Sequence, residues 1–146
     1  MRIKLFSLLS FVLAYVYSCP HSKTAASPQA IIKTYERLVL EMKADSISNL
    51  FTTDAEIGHE NQRPVRGRDS IYALLSSFKN VRVIENRDNI SSVSTRGDSA
   101  TVNGTYKQTV IVSEKDTVHV TGSFTSEMIR DKDKNWLIWK MRTKSL

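Results

Sequence analysis

One cysteine in 146 residues, Cys19, excludes an internal disulfide. The three histidines, His21, His59 and His119, share no metal-ligand spacing. With no Cys/His cluster beside them, a zinc site is not expected, nor any other metal or cofactor. A glycine-rich phosphate loop and a G-x-S-x-G nucleophile elbow are also missing. The formal charge is +6, yet no run of Lys or Arg forms a stripe and no nucleic-acid motif accompanies it. Nucleic-acid binding is therefore not expected. Long apolar runs are scarce too. The one that exists, Leu5 to Val16, is shorter than the roughly 20 residues a membrane-spanning helix needs.

That run has another use. Arg2 and Lys4 precede it, and Tyr17, Ser18 and Cys19 follow. A basic start, a short apolar stretch and a small residue before the break predict an export signal over residues 1–18. Val16-Tyr17-Ser18-Cys19 resembles a bacterial lipobox, with Tyr17 a looser fit than the usual small residue. A lone exposed thiol in an oxidising compartment is a liability, so lipidation of Cys19 is the expectation. Acyl chains there would anchor the protein to the bacterial cell envelope without a spanning helix. Loss of Arg2 and Lys4 lowers the charge to +4, which suits a protein tethered near anionic headgroups. Residues 19–27 are then lipidated cysteine and tether, and 28–146 the domain. Two N-glycosylation patterns, Asn89-Ile90-Ser91 and Asn103-Gly104-Thr105, are read as chance in this setting.

Composition is near the globular average, with 40% hydrophobic and 25% charged residues, so the domain has enough apolar matter for one core. Ser27-Pro28 starts a helix, Ser27 as N-cap and Pro28 in the first turn. Ile31, Ile32, Tyr35, Leu38, Val39 and Met42 recur at three- and four-residue steps, predicting a helix that ends near Lys43. Asp45 is placed to cap a second, shorter helix carrying Ile47, Leu50 and Phe51. Thr52-Thr53-Asp54 breaks the pattern, Ala55-Glu56-Ile57 reads as a short strand, and Gly58 to Arg66 as a loop. Gly67 to Ser70 leads into a third helix with Ile71, Leu74, Leu75 and Phe78 on one face.

After Asn80 the period becomes alternating. Val81 to Val93 is a strand with an irregular middle, because Glu85 to Asn89 is highly polar. In the next strand Ala100, Val102, Gly104, Tyr106, Val110 and Val112 share one face against Thr101, Asn103, Thr105, Lys107 and Thr109. Beyond a turn at Glu114-Lys115-Asp116, Val118, Val120, Gly122, Phe124, Ser126 and Met128 alternate with a polar set that includes His119. A last strand spans about Trp136 to Arg142. Helices first and hairpin-linked strands after predict an α+β fold. The helices must cover the apolar sheet face, and a twisted sheet curving round them leaves a cavity at its open end.

The order of these pieces resembles the nuclear-transport-factor-2-like superfamily, in particular its SnoaL-like and ketosteroid-isomerase-like members. The resemblance rests on the amphipathic first helix with Tyr35, on Ile47 to Ile57, on Gly67-Arg68-Asp69-Ser70-Ile71, and on Met128-Ile129-Arg130 with Trp136-Leu137-Ile138. It implies a cone of about three N-terminal helices on a curved, mostly antiparallel sheet of four to six strands. It does not settle function, since such folds serve enzymes, binding proteins and assembly modules alike.

On the isomerase pattern His59 falls where those enzymes carry their carboxylate base, and Tyr35 on the tyrosine that donates to the developing oxyanion. A histidine can act as a base near neutral pH. Against this stand two plainer readings: a surface histidine among Glu60, Asn61 and Gln62, and a core tyrosine. The isomerases add a protonated aspartate on a late strand, and Ser126 falls there instead. A serine cannot reproduce an acid, which disfavours steroid isomerisation more than dehydration or cyclisation. Asp54 is read as structural, and His119 as pointing away from the pocket. Trp136 and Trp139 fall on opposite faces of the last strand, and Trp139 is assigned to the pocket wall with Tyr106 and Phe124.

The leading expectation is a small, partly apolar ligand held by Tyr35, His59, Tyr106, Phe124, Ser126 and Trp139. The alternative is a cofactor-free lyase or isomerase with His59 as base and Tyr35 as donor. A third reading is a dimerising protein-interaction module. A homodimer is expected through the Thr-rich outer sheet face, with Ile111 and Ile129.

Overall fold

The computed structural model of the chain describes residues 26–113 and 116–146. The expected export signal over residues 1–18, Cys19 and most of the expected tether lie outside the described residues, as does part of the turn at Glu114-Lys115-Asp116.

Helix α1 runs Pro28–Leu40. The Ser27 hydroxyl accepts the Ala30 N–H at 3.2 Å, satisfying one of the donors a helix start leaves free. The helix stops short of Lys43 because the chain turns through Met42 in the left-handed region (φ 53°). Helix α2 is Ala44–Ser48, and Lys43 rather than Asp45 stands at its cap position. Asp45 instead occupies the first turn, where its charge opposes the helix dipole favourably. Helix α3, Arg68–Ser77, follows Gly67 at φ 86°, a conformation that side chains resist. The Arg68 guanidinium then donates to the Phe51 carbonyl from Nε (2.9 Å) and Nη2 (2.5 Å). That clasp ties the start of α3 to the first strand.

Six strands form one sheet: β1 Phe51–His59, β2 Val65–Arg66, β3 Val81–Arg96, β4 Ser99–Val112, β5 Asp116–Arg130 and β6 Trp136–Ser145. Their order is β2-β1-β6-β5-β4-β3, antiparallel except where β1 runs parallel to β6. The architecture is the expected α+β arrangement, helices on the concave side of a curved sheet. Two local expectations change. Thr52-Thr53-Asp54 does not interrupt the chain: β1 begins at Phe51, opposite Ile138, and its register shifts before Glu56. This irregularity hid the alternation that a strand needs to be seen in sequence. Gly58, His59, Val65 and Arg66 are likewise strand, since β2 folds back on β1 with Ile57 opposite Val65. In β3 the polar middle is paired throughout, with register shifts at Val83/Glu85 and Ile90/Ser92.

Val102, Phe124, Met128, Ile138 and Met141 are buried on the concave face against Ile32, Ile47, Phe51 and Ile71. The outer face carries Thr101, Thr105 and Thr125 with Ile129 exposed. Thr109 is outward as expected yet buried, because its hydroxyl sits between Glu85 Oε2 (3.1 Å) and His119 Nδ1 (3.0 Å). On the concave face, Gly104 lies opposite Phe124 and Gly122 opposite Tyr106 across β4 and β5. A Cβ on Gly104 would come within 2.7 Å of the Phe124 ring, and one on Gly122 within 2.5 Å of the Tyr106 ring. Each ring therefore lies down over a glycine of the neighbouring strand. Two large side chains are kept flat, and space stays open above them.

Candidate functional site

That space is a hollow of two adjoining lobes, about 480 and 470 Å³, between the helices and the sheet. Tyr35, Val39, Phe78, Gln108 and Val120 line both and form the waist. The first lobe is walled by Val81, Val83, Val110, Val112 and Val118, with Met42, Ile47 and Leu75 across from them. It is an oily chamber. The second adds His59, Arg63, Asn86, Asp88, Tyr106 and Thr143 to apolar walls of Ile57, Phe124 and Met141. It is the polar end.

Four of the expected pocket residues meet here: Tyr35, His59, Tyr106 and Phe124 all line the polar lobe. Two do not. Ser126 points inward as expected but lies wholly buried below the hollow, between Val102 and Met141 on the flanking strands. Its hydroxyl has no partner among the described residues. Trp139 is on the outer face. With Trp136 and Ile138 inward, alternation itself turns Trp139 outward, and the register shift beside Met128 then lets Met141 rather than Lys140 take the next inward place. The Trp139 ring is covered by Lys140 Nζ at 3.9 Å. Trp136 is the core tryptophan, buried with the Arg130 guanidinium 4.6 Å over its ring. Asp54 and His119 are both exposed, and neither lines the hollow, in line with their reading from sequence.

His59 ends β1 at the rim. Its Nδ1 is 2.9 Å from the Glu60 carbonyl, which can only accept, so Nδ1 carries the proton. Nε2 then accepts from the Ser145 hydroxyl at 3.0 Å. Both nitrogens are engaged. To act as a base His59 must first release Ser145.

Tyr35 packs edge-on to Phe51, with ring centroids 6.2 Å apart at 75°. Burial, then the charge of Asp88, then Tyr106 raise its pKa well above the usual phenol range. At neutral pH it keeps its proton, so its hydroxyl has a hydrogen bond to donate and does not act as a base. Next to it, Asn86 Nδ2 donates to the Glu36 carbonyl of α1 (3.0 Å), and its Oδ1 accepts from Gln108 Nε2 (3.4 Å). This chain of amides orients Gln108 so that its own carbonyl oxygen is left without a partner among the described residues.

Asp88 is the residue that sequence reasoning missed. It stands in the polar middle of β3, where a run of charged residues looked like an irregular, solvated stretch. Continuous pairing with β4 aims it into the polar lobe opposite Tyr106. Burial, reinforced by the negative charge of Glu36 and opposed by Lys33, pushes its carboxyl up to about 6. Its strict two-residue spacing from Asn86 was the one signal available, and the bulges on either side broke the phase that would have revealed it. Tyr35 and Asp88 together supply a firm donor and an acid–base group near neutrality.

Solved structures share this architecture. The chain superposes on a ketosteroid isomerase-like protein from Erwinia carotovora atroseptica (TM-score 0.73, 15% identity, covering 81% of this chain and 92% of that one). A nuclear-transport-factor-2-like protein with a cystatin-like fold from Novosphingobium aromaticivorans gives TM-score 0.61 at 17% identity, covering 80% and 77%. ActVI-ORFA from Streptomyces coelicolor gives 0.67 at 14%, covering 80% and 92%. At such identities the likeness speaks for the fold alone. No curated protein matches the sequence. Residues 28–142, nearly the whole domain, match the model of the SnoaL-like domain, and the chain belongs to that family.

Proposed function

We propose that this protein binds a small, partly apolar molecule in the two-lobed hollow, and does so at the cell envelope, exported and anchored through acylated Cys19. One observation carries the binding role: an open cavity with oily walls and a few polar groups gathered at one end. Ligand sites have this composition. The assembly-module reading requires a cone filled by bulky side chains, and the Gly104/Phe124 and Gly122/Tyr106 pairs keep it empty instead.

Nile red, a neutral apolar dye, tests the reading. Its fluorescence should rise on mixing with the protein. Val120→Trp at the waist, or Val110→Phe in the oily lobe, should cut dye affinity by about tenfold while leaving a cooperative unfolding transition. Unchanged dye binding in both folded variants overturns the site. Mass spectrometry of the membrane fraction checks the anchor, and an unmodified Cys19 in soluble protein removes it.

A lyase or isomerase is the second reading, favoured by Tyr35 and His59 sharing one lobe. The Ser145 bond to Nε2 weighs against His59 as the base. His59→Gln, which retains hydrogen bonding but not basicity, should leave dye binding intact under both readings. It should abolish turnover only under the second.

A further inference from the structure

Asp88 lines the polar lobe, and among the described residues no side chain bonds or ion-pairs with its carboxylate. The nearest cation is committed elsewhere: Lys33 Nζ lies 2.6 Å from Glu36 Oε2 and donates to the main-chain oxygen of Asp88 at 2.6 Å. Arg87, its neighbour on β3, pairs with Glu85 at 3.4 Å. A carboxylate so placed is costly unless something entering the hollow brings a donor to it. The groups around it are of one kind. Tyr35 and Tyr106 present aromatic rings in the same lobe, Gln108 has its carbonyl oxygen to spare, and Glu36 adds negative potential from α1. A carboxylate, two aromatic rings and an amide oxygen are what an organic ammonium seeks.

We infer that the hollow selects a molecule with a protonated amine on an apolar body, its ammonium at Asp88 between Tyr35 and Tyr106 and its body in the valine-lined lobe. The inference rests on the hollow being a ligand site and names the chemical class that the site takes. Among the described residues Arg63 is the one cation lining the lobe, and it belongs with His59 to the β1–β2 side of the sheet, separated from β3 by β6, β5 and β4; both His59 nitrogens are already engaged. A carboxylate-headed ligand would seat there instead, at the opposite end of the lobe. The charged and titratable groups facing Asp88 are thus Glu36, Lys33 and Tyr35 from α1, Tyr106 from β4, and His59 and Arg63 across the cavity.

Three probes of matched length decide between these heads: n-octylamine, n-octanol and n-octanoate, titrated calorimetrically into the protein near pH 7.5. Octylamine should bind about tenfold tighter than octanol, the difference one charge-assisted hydrogen bond makes. Octanoate should bind more weakly than either. The amine preference should shrink as pH falls through about 6, where Asp88 gains its proton. Asp88→Asn should lower octylamine affinity much more than octanol affinity, closing most of the gap between them. Equal affinities for amine and alcohol, or tightest binding of octanoate, overturn the amine inference and leave the ligand site standing. No binding of any probe or of Nile red overturns both.

Discussion

The two lobes of the hollow are nearly equal in size and are built on different physics. The oily lobe is made by alternation alone: Val81 and Val83 on β3, Val110 and Val112 on β4, and Val118 and Val120 on β5 project to one face. Nothing in it requires an exact position, because any branched aliphatic side chain would wall the same space. The polar lobe depends on particular residues. Its floor is two aromatic rings laid over two glycines, and its titratable group is a carboxyl that burial makes reluctant to ionise. One end tolerates substitution and the other does not.

Breaking the floor should have the largest effect. Gly122→Ala drives a methyl group into the Tyr106 ring and the main-chain oxygen of Lys144, and should cost about 3 kcal/mol or more, read from urea unfolding. Adding Tyr106→Ala should recover only part, since the Lys144 carbonyl remains in the way. Full recovery would mean that the ring, and not the close strand approach, demands the glycine. In the oily lobe the expected loss is smaller. Val83→Ala removes two methyl groups from a buried wall and should cost about 2 kcal/mol, with no dependence on pH.

Asp88→Asn is the subtlest change and has the opposite sign. The folded-state pKa of Asp88 is raised, so folding is favoured while it is protonated, and that advantage is lost as pH rises from about 4 through about 6. Removing the charge should therefore stabilise the protein near pH 7.5 by about 1 kcal/mol, a figure already reduced for the solvent that reaches the group. The gain should vanish below pH 4. A variant no more stable than wild type at pH 7.5 would show that the carboxylate is solvated in the lobe.

Much of the fold was legible because its period was clean. The α1 stripe, the Ser27-Pro28 start and the faces of β4 and β5 follow from spacing, and the structure puts Val102, Val120 and Phe124 on the concave side. Where register shifts, spacing misleads. The Phe51/Glu56 irregularity concealed most of β1, and the Glu127/Met128 shift put Met141 rather than Lys140 on the inner face. For the site the same division holds. Tyr35, Tyr106 and Phe124 sit on regular stretches and were found, while Asp88 lies between two bulges of β3 and was not.

Local pattern by itself determined the class of fold, which face of each regular strand is oily, and that a hollow would form. Those properties depend on the two-residue and 3.6-residue repeats, which neighbours along the chain carry in full. Only the tertiary structure decided which polar groups look into the hollow and in what state. A bulge resets the phase of everything after it, and the raised pKa of Asp88 is made by burial in the folded chain and by Glu36, more than fifty residues before it.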